Sequence, residues 1–380
     1  MISTRTVKPT LLPQAALLAV CASLLPQQAS ATGYAQENLV SNIPGLASNT
    51  DPNLINPWGI AMSATSPFWI SDNGTGLTTL YNTTGVTQGL VVTIPPPPGS
   101  PGGTPSKPTG QVFSGSSTNF LLSGSTNPSR FIFATEDGTI SGWNPSANPT
   151  NAIIKVDNSA SGAIYKGLAI NSAQDTLFAA NFGGTGGLER YGSTFNSLGS
   201  FTDSNVPAGF APFNAQNIGG TIYVTFAKQN GLGDDVPGLG NGFVDTFDPA
   251  TNSFTRLISG GPLDSPWGIA KAPSTFGEFS NALLVGNFGD GKINAFDPIT
   301  GSLLGSLTEG SGSPIVIDGL WALTFGNGGS GGLTNKLYFT AGLNGEADGL
   351  FGSLVAVPVP GAFWLFGSAL AGLIGLRRKA

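Results

Sequence analysis

Histidine is absent from this 380-residue chain, cysteine occurs once, and only 9% of residues are charged. Without histidine the usual general base near neutral pH and the commonest zinc ligand are both missing, so Ser/His/Asp, Cys/His and His-ligated zinc chemistry are excluded. The one cysteine, Cys21, lies in the N-terminal leader, which leaves the body without a disulfide or a thiol nucleophile. Lysine and arginine total 15 in a chain of net charge −6 and are scattered, so the clustered cation needed to bind nucleic acid is lacking. Between the two ends no stretch has convincing helical periodicity.

What is present is glycine (56 residues) and a 40% apolar content. That is enough to bury a large core and exclude global disorder, with Ser, Thr, Asn and Gly supplying most of the solubility.

The two ends differ from the body. Arg5 and Lys8 precede an apolar stretch from Leu11 to Leu25, followed by Ala29-Ser30-Ala31. This is the order of a secretory signal peptide, basic then apolar then small, and it predicts removal of residues 1–31 by signal peptidase after Ala31. Leu18-Ala19-Val20-Cys21 has a bulky Val20 where a lipoprotein box needs a small residue, which argues against lipidation. At the other end Val357-Pro358-Val359-Pro360 precedes an apolar run from Gly361 to Leu376, closed by Arg377-Arg378-Lys379. As a helix started by the prolines, that run would rise about 24 Å, a short single membrane span with its basic cluster on the cytoplasmic side.

In Val357-Pro358-Val359-Pro360 and Trp364-Leu365-Phe366-Gly367-Ser368 this tail resembles the PEP-CTERM sorting signals of Gram-negative bacteria, in their VPLPA-type variant. The resemblance covers about the last 25 residues and departs from the main class at Val359, where that class has Glu. It implies recognition and processing by an exosortase in an organism that builds exopolysaccharide, with transient anchoring in the inner membrane.

The segment 32–353 reads as one all-β domain. Pro57-Trp58-Gly59-Ile60-Ala61 returns as Pro266-Trp267-Gly268-Ile269-Ala270 and, more loosely, as Gly319-Leu320-Trp321-Ala322-Leu323. Short apolar runs such as Arg130 to Ala134, Leu177 to Ala180 and Ala282 to Val285 end in turns like Ser71-Asp72-Asn73-Gly74 and Gly286-Asn287-Phe288-Gly289. Turns near Asn73, Asp137, Asn181, Ala227, Asn287 and Ala341 mark six units about 54 residues apart, which predicts a six-bladed β-propeller. Neighbouring blades must shield both faces of each sheet, and a segment near Glu37 to Val40 is expected to close the ring against Gly349 to Val355. The mature region is also similar to a family of exported bacterial propellers that often carry this tail, through Asn38 to Gly45, Thr50 to Ile60 and Phe68 to Gly74.

Two other features are read as ordinary surface. The glycine-rich segments at 183–187 and 328–332 lack the Lys-Ser/Thr and helix of a phosphate loop, and 95–108 reads as a Pro-rich insertion. Asn73-Gly74-Thr75 and Asn82-Thr83-Thr84 match the N-glycosylation pattern, which has little weight in a bacterium.

If the Trp-Gly segments begin the innermost strands, residues just before them approach the channel. Asn56, Asp264, Ser265 and Asp318 are then candidate site residues, with Lys166 and Asn214 near matching positions. Carboxylate and amide oxygens of Asp264, Asp318 and Asn56 suit Ca²⁺, and a cation there would polarise a lactone or ester carbonyl. The alternative is that these groups cap turns. Asp234-Asp235 and Asp348 are further peripheral Ca²⁺ candidates. The expectation is an exported surface or matrix protein with a noncatalytic binding or structural role associated with exopolysaccharide. The alternative is a metal-dependent lactonase-like or esterase-like hydrolase.

Overall fold

In the computed structural model the described residues are 31–122, 126–184 and 186–358. The leader 1–30 and the tail from Val359, with its apolar run and Arg377-Arg378-Lys379, lie outside them. No helix among the described residues is long and apolar enough to cross a membrane.

The unit Ala31–Val357 is a six-bladed β-propeller: five blades are antiparallel four-stranded meanders, and the sixth has five strands because Asn49–Thr50 pairs in parallel with Ala31–Ser41. The innermost strands are Pro57–Ala61, Pro108–Phe113, Tyr165–Ile170, Phe210–Ile218, Pro266–Lys271 and Leu320–Phe325, beginning blades one to six in chain order. The repeated Trp-Gly segments thus do start inner strands. The six turns read from the sequence fall at the ends of the second strands, on the face where the inner strands begin; we call this the upper face.

Alternation within the short apolar runs builds the ring. Phe131 and Phe133 face blade one, where Trp69 stacks on Phe131 at 3.9 Å, while Ile132 and Ala134 face Leu168 and Leu177 of blade three. Likewise Leu283 and Val285 pack toward blade four and Leu284 toward blade six. A strand buried on both faces reads as a continuous apolar run, and the period of two assigns successive side chains to successive interfaces. Each of the six interfaces has its own apolar cluster, and a seventh fills the axis.

The ring closes as expected. Ala31–Ser41 is the fourth strand of blade six, between Asp348–Pro358 and the short edge strand Asn49–Thr50. That last strand runs through Pro358, so the expected boundary after residue 353 falls inside it. The first strand also clamps blade five: Tyr34 is 2% exposed, its hydroxyl donates to Phe276 O (3.0 Å) and accepts from Phe279 N (3.2 Å), and burial pushes its pKa up to about 12.

Candidate functional site

Every inner strand carries a β-bulge near its start. The extra residue breaks the pleat, and the bulge residues across the six blades are Trp58, Thr109, Lys166, Phe213, Trp267 and Trp321. Glycine follows in four of them because the neighbouring blade is already there. A Cβ on Gly59 would lie 2.5 Å from Thr109 O, on Gly110 2.2 Å from Leu168 N, and on Gly268 2.5 Å from Trp321 O. Side-chain bonds tie the same circle together: Thr109 Oγ1 donates to Tyr165 O (2.7 Å), Asn214 Nδ2 to Trp267 O (2.9 Å) and Trp267 Nε1 to Lys166 O (3.0 Å). Asn214 therefore joins blades four and five.

The aromatic bulge residues Trp58, Phe213, Trp267 and Trp321, with Phe182 and Phe288 that directly follow their second strands, form a plug at the upper mouth. Phe288 stacks on Trp321 with ring centres 4.0 Å apart, and Trp321 stacks on Trp58 at 3.5 Å. Lys166, 3% exposed, places its ammonium 5.1 Å from the Trp58 ring centre and 5.9 Å from that of Phe182. It is the one cation among the six bulge residues.

Its counter-ion is Glu136, in direct contact, and Asp234 lies 3.8 Å away. Glu136 also accepts from Asn73 Nδ2 (2.9 Å), Asn73 accepts from Asn56 Nδ2 (3.3 Å), and Asn56 Oδ1 accepts from Trp321 Nε1 (3.1 Å). A chain of polar contacts therefore runs from blade three through blades two and one to blade six. Burial alone would raise the Glu136 pKa; the Lys166 charge, bonds from Lys166 and Asn73, and Lys107 outweigh it and lower it.

Two further carboxyls face this pair. Glu346 is pushed up to about 6 by burial and the Glu136 charge, against Lys166 and a bond from Asn56. Asp235 is raised by burial, opposed by Ser265 and Lys166. Both sit on loops rather than strands. Glu346 ends the turn Leu343–Glu346, where Asn344 (φ 55°), Gly345 (φ 63°) and Glu346 (φ 70°) are consecutively left-handed. Left-handed backbone at non-glycine residues is strained and held by its surroundings. Asp234 and Asp235 are carried by the excursion 229–241, pinned where Gln229 Nε2 bonds Phe182 O and where Gly233 packs against Ile164.

The residues expected to hold a cation are not brought together. Asn56 is at the mouth, but its oxygen is taken by Trp321. Asp264 Oδ1 accepts from Gly238 N (2.6 Å), and its pKa is raised by burial and the Asp290 charge, against Gly238 and Lys292. Asp318 Oδ2 accepts from Asn344 N (3.1 Å) on an exposed turn. Asp348 joins Asn42 and Asn344, bonds that lower its pKa. Ca²⁺ needs six to eight converging oxygens; these residues do not fit one, and no three His, Cys, Asp or Glu are grouped for a metal among the described residues. Asn56 and Ser265 do share the expected position, and both adopt positive φ (46° and 47°) before their prolines.

Glu136 and Glu346, whose carboxyls interact with Lys166, were visible in the sequence only as turn residues. The one signal available was positional: Glu136 follows its second strand as Asn73, Phe182 and Phe288 follow theirs.

Fold and site define a six-bladed propeller whose axis is plugged by aromatic rings and whose upper mouth is acidic around one buried lysine. No family model matches the chain. Two uncharacterized proteins of Acanthamoeba polyphaga mimivirus are similar to it. One is 33% identical over 83% of this chain and 78% of its own length, the other 32% identical over 87% of each. The chain belongs to the same family as these viral proteins. Among solved structures it resembles a structural genomics protein of unknown function from Bacteroides thetaiotaomicron (TM-score 0.52, 12% identity, 85% of this chain and 76% of that one). It also resembles a streptogramin B lyase (TM-score 0.51, 11% identity, 86% and 98%). At such identities the likeness is one of fold.

Proposed function

We propose that this propeller is an exported, noncatalytic binding protein of the bacterial cell surface or matrix, sorted through its C-terminal signal, and that its upper mouth binds exopolysaccharide. The observation that carries the reading is the Lys166–Glu136 pair set against the Trp58–Trp321–Phe288 stack, with Glu346 and Asp235 beside it. A sugar offers hydroxyl donors to carboxylates, oxygen acceptors to an ammonium, and a C–H face to an aromatic ring. Asp235 and Glu346 bring carboxyls, Lys166 the ammonium, and the half-buried Phe288, outermost ring of the stack, the aromatic face, all from strands and pinned loops, which keeps the ordering cost of binding low.

Binding of host exopolysaccharide fragments to the full chain, measured by calorimetry, tests the site. Saturable binding abolished by Lys166→Met supports it; no binding, or turnover of a lactone panel that a chelator abolishes, overturns it. Export is tested separately by fusing residues 1–31 and 354–380 to a reporter. Cytoplasmic retention of the reporter in an exosortase-bearing host would refute the sorting proposal.

A further inference from the structure

Below the aromatic plug the channel opens to the opposite face through a cavity of 210 Å³, with a narrow extension reaching Trp267. Its walls are the far ends of the inner strands, including Ile60, Met62, Leu168 and Thr324, and no charged residue lines it. The two ends of one channel thus differ in kind: acidic and ionic above, neutral and half apolar below.

Two glutamines line both the cavity and its extension. Gln111, 5% exposed, donates through Nε2 to Gly59 O (2.8 Å) and Trp69 O (2.7 Å). Two carbonyl acceptors on the same atom fix which end of the amide is nitrogen, and they leave Oε1 as a buried acceptor with no partner. Gln216, from blade four and only partly buried, makes no side-chain hydrogen bond within the described residues. Leu168, from the blade between them, lines the same space.

We propose that this lower mouth is a second binding site, for a small neutral molecule that presents a carboxamide on an apolar body. The carboxamide N–H would donate to Gln111 Oε1 and its carbonyl would accept from Gln216 Nε2, satisfying both glutamines. The apolar body would lie on Ile60, Met62 and Leu168. A charged ligand is disfavoured because nothing in the lining offsets its desolvation.

The test is titration of the full chain with benzamide, followed by calorimetry and saturation-transfer NMR. Saturable one-site binding is expected. N,N-dimethylbenzamide, which has no N–H to donate, should bind about tenfold or more weakly. Gln111→Leu frees two backbone carbonyls and so risks the fold. Gln216→Leu breaks no protein hydrogen bond, and it should weaken benzamide about tenfold. Glu346→Gln at the upper mouth should leave benzamide affinity unchanged. Absence of saturable binding, equal affinity for the dimethyl analogue, indifference to Gln216→Leu, or sensitivity to Glu346→Gln would each overturn the proposal.

Discussion

The Lys166 ammonium sits 5.1 Å from the centre of the Trp58 ring, though the two residues come from blades three and one. Each is the bulge residue of its inner strand, so the same local irregularity brings both to the axis. The cation is held between an aromatic face and the Glu136 carboxylate.

Lys166→Met keeps side-chain volume but leaves Glu136, whose side chain is 17% exposed, without its counter-ion. A buried pair broken on one side costs more than a pair removed whole. Lys166→Met should lose about 3 kcal/mol in urea denaturation. The double variant with Glu136→Gln should recover at least about 1 kcal/mol of it; a double variant no more stable than the single one would contradict the pairing.

Glu346 titrates near 6, so at pH 5 it is mostly neutral and at pH 7.5 mostly charged. A carboxylate accepts hydroxyl hydrogen bonds more strongly than a carboxylic acid. Polysaccharide affinity at the upper mouth should therefore rise several-fold over that interval, and Glu346→Gln should lose most of the rise. Calorimetry at both pH values reads the effect.

Asp245 is wholly buried and contacts Arg256 Nε, while Arg256 also reaches Asp203 at 3.2 Å. Burial and a bond with Asp203 push Asp245 up to about 7 despite Arg256. An unfolded Asp titrates near about 3.9. In the folded state the proton is therefore held more tightly. The stability this contributes is full below about pH 4 and is lost as pH rises to about 7. The difference in urea midpoint between wild type and Asp245→Asn should fall from pH 5 to pH 7.5; a difference rising with pH would reverse the assignment.

Gly110→Ala places a methyl 2.2 Å from the Leu168 amide nitrogen of the next blade. Backbone cannot yield there without parting blades two and three, so a loss of about 3 kcal/mol is expected. Gly102→Ala, with nothing within 4 Å of its Cβ, should be near neutral, and thermal melts of both variants against wild type read the contrast.

Much of the fold was legible because its signals are local. The Pro57-Trp58-Gly59 and Pro266-Trp267-Gly268 repeats and the turns after each second strand report on neighbours within a blade, and the doubly apolar runs report that each blade is covered on both faces. Closure by Glu37 to Val40 could be read because an unpaired first strand must find an edge. The site was less legible. Asn56 and Ser265 directly precede inner strands, as their positions before Pro57 and Pro266 imply, but Asp264 and Asp318 took backbone partners on other loops, Gly238 and Asn344.

The amino-acid sequence by itself determined the periodicity, the two-faced burial of each strand and hence a ring of six blades, since these follow from which residues alternate along the chain. It also determined that no histidine chemistry operates here. Only the tertiary structure decided that Glu136, Lys166, Asp235 and Glu346 share one mouth. Their convergence depends on how bulges turn side chains toward the axis and on the path of two loops, and neither leaves a periodic trace along the chain.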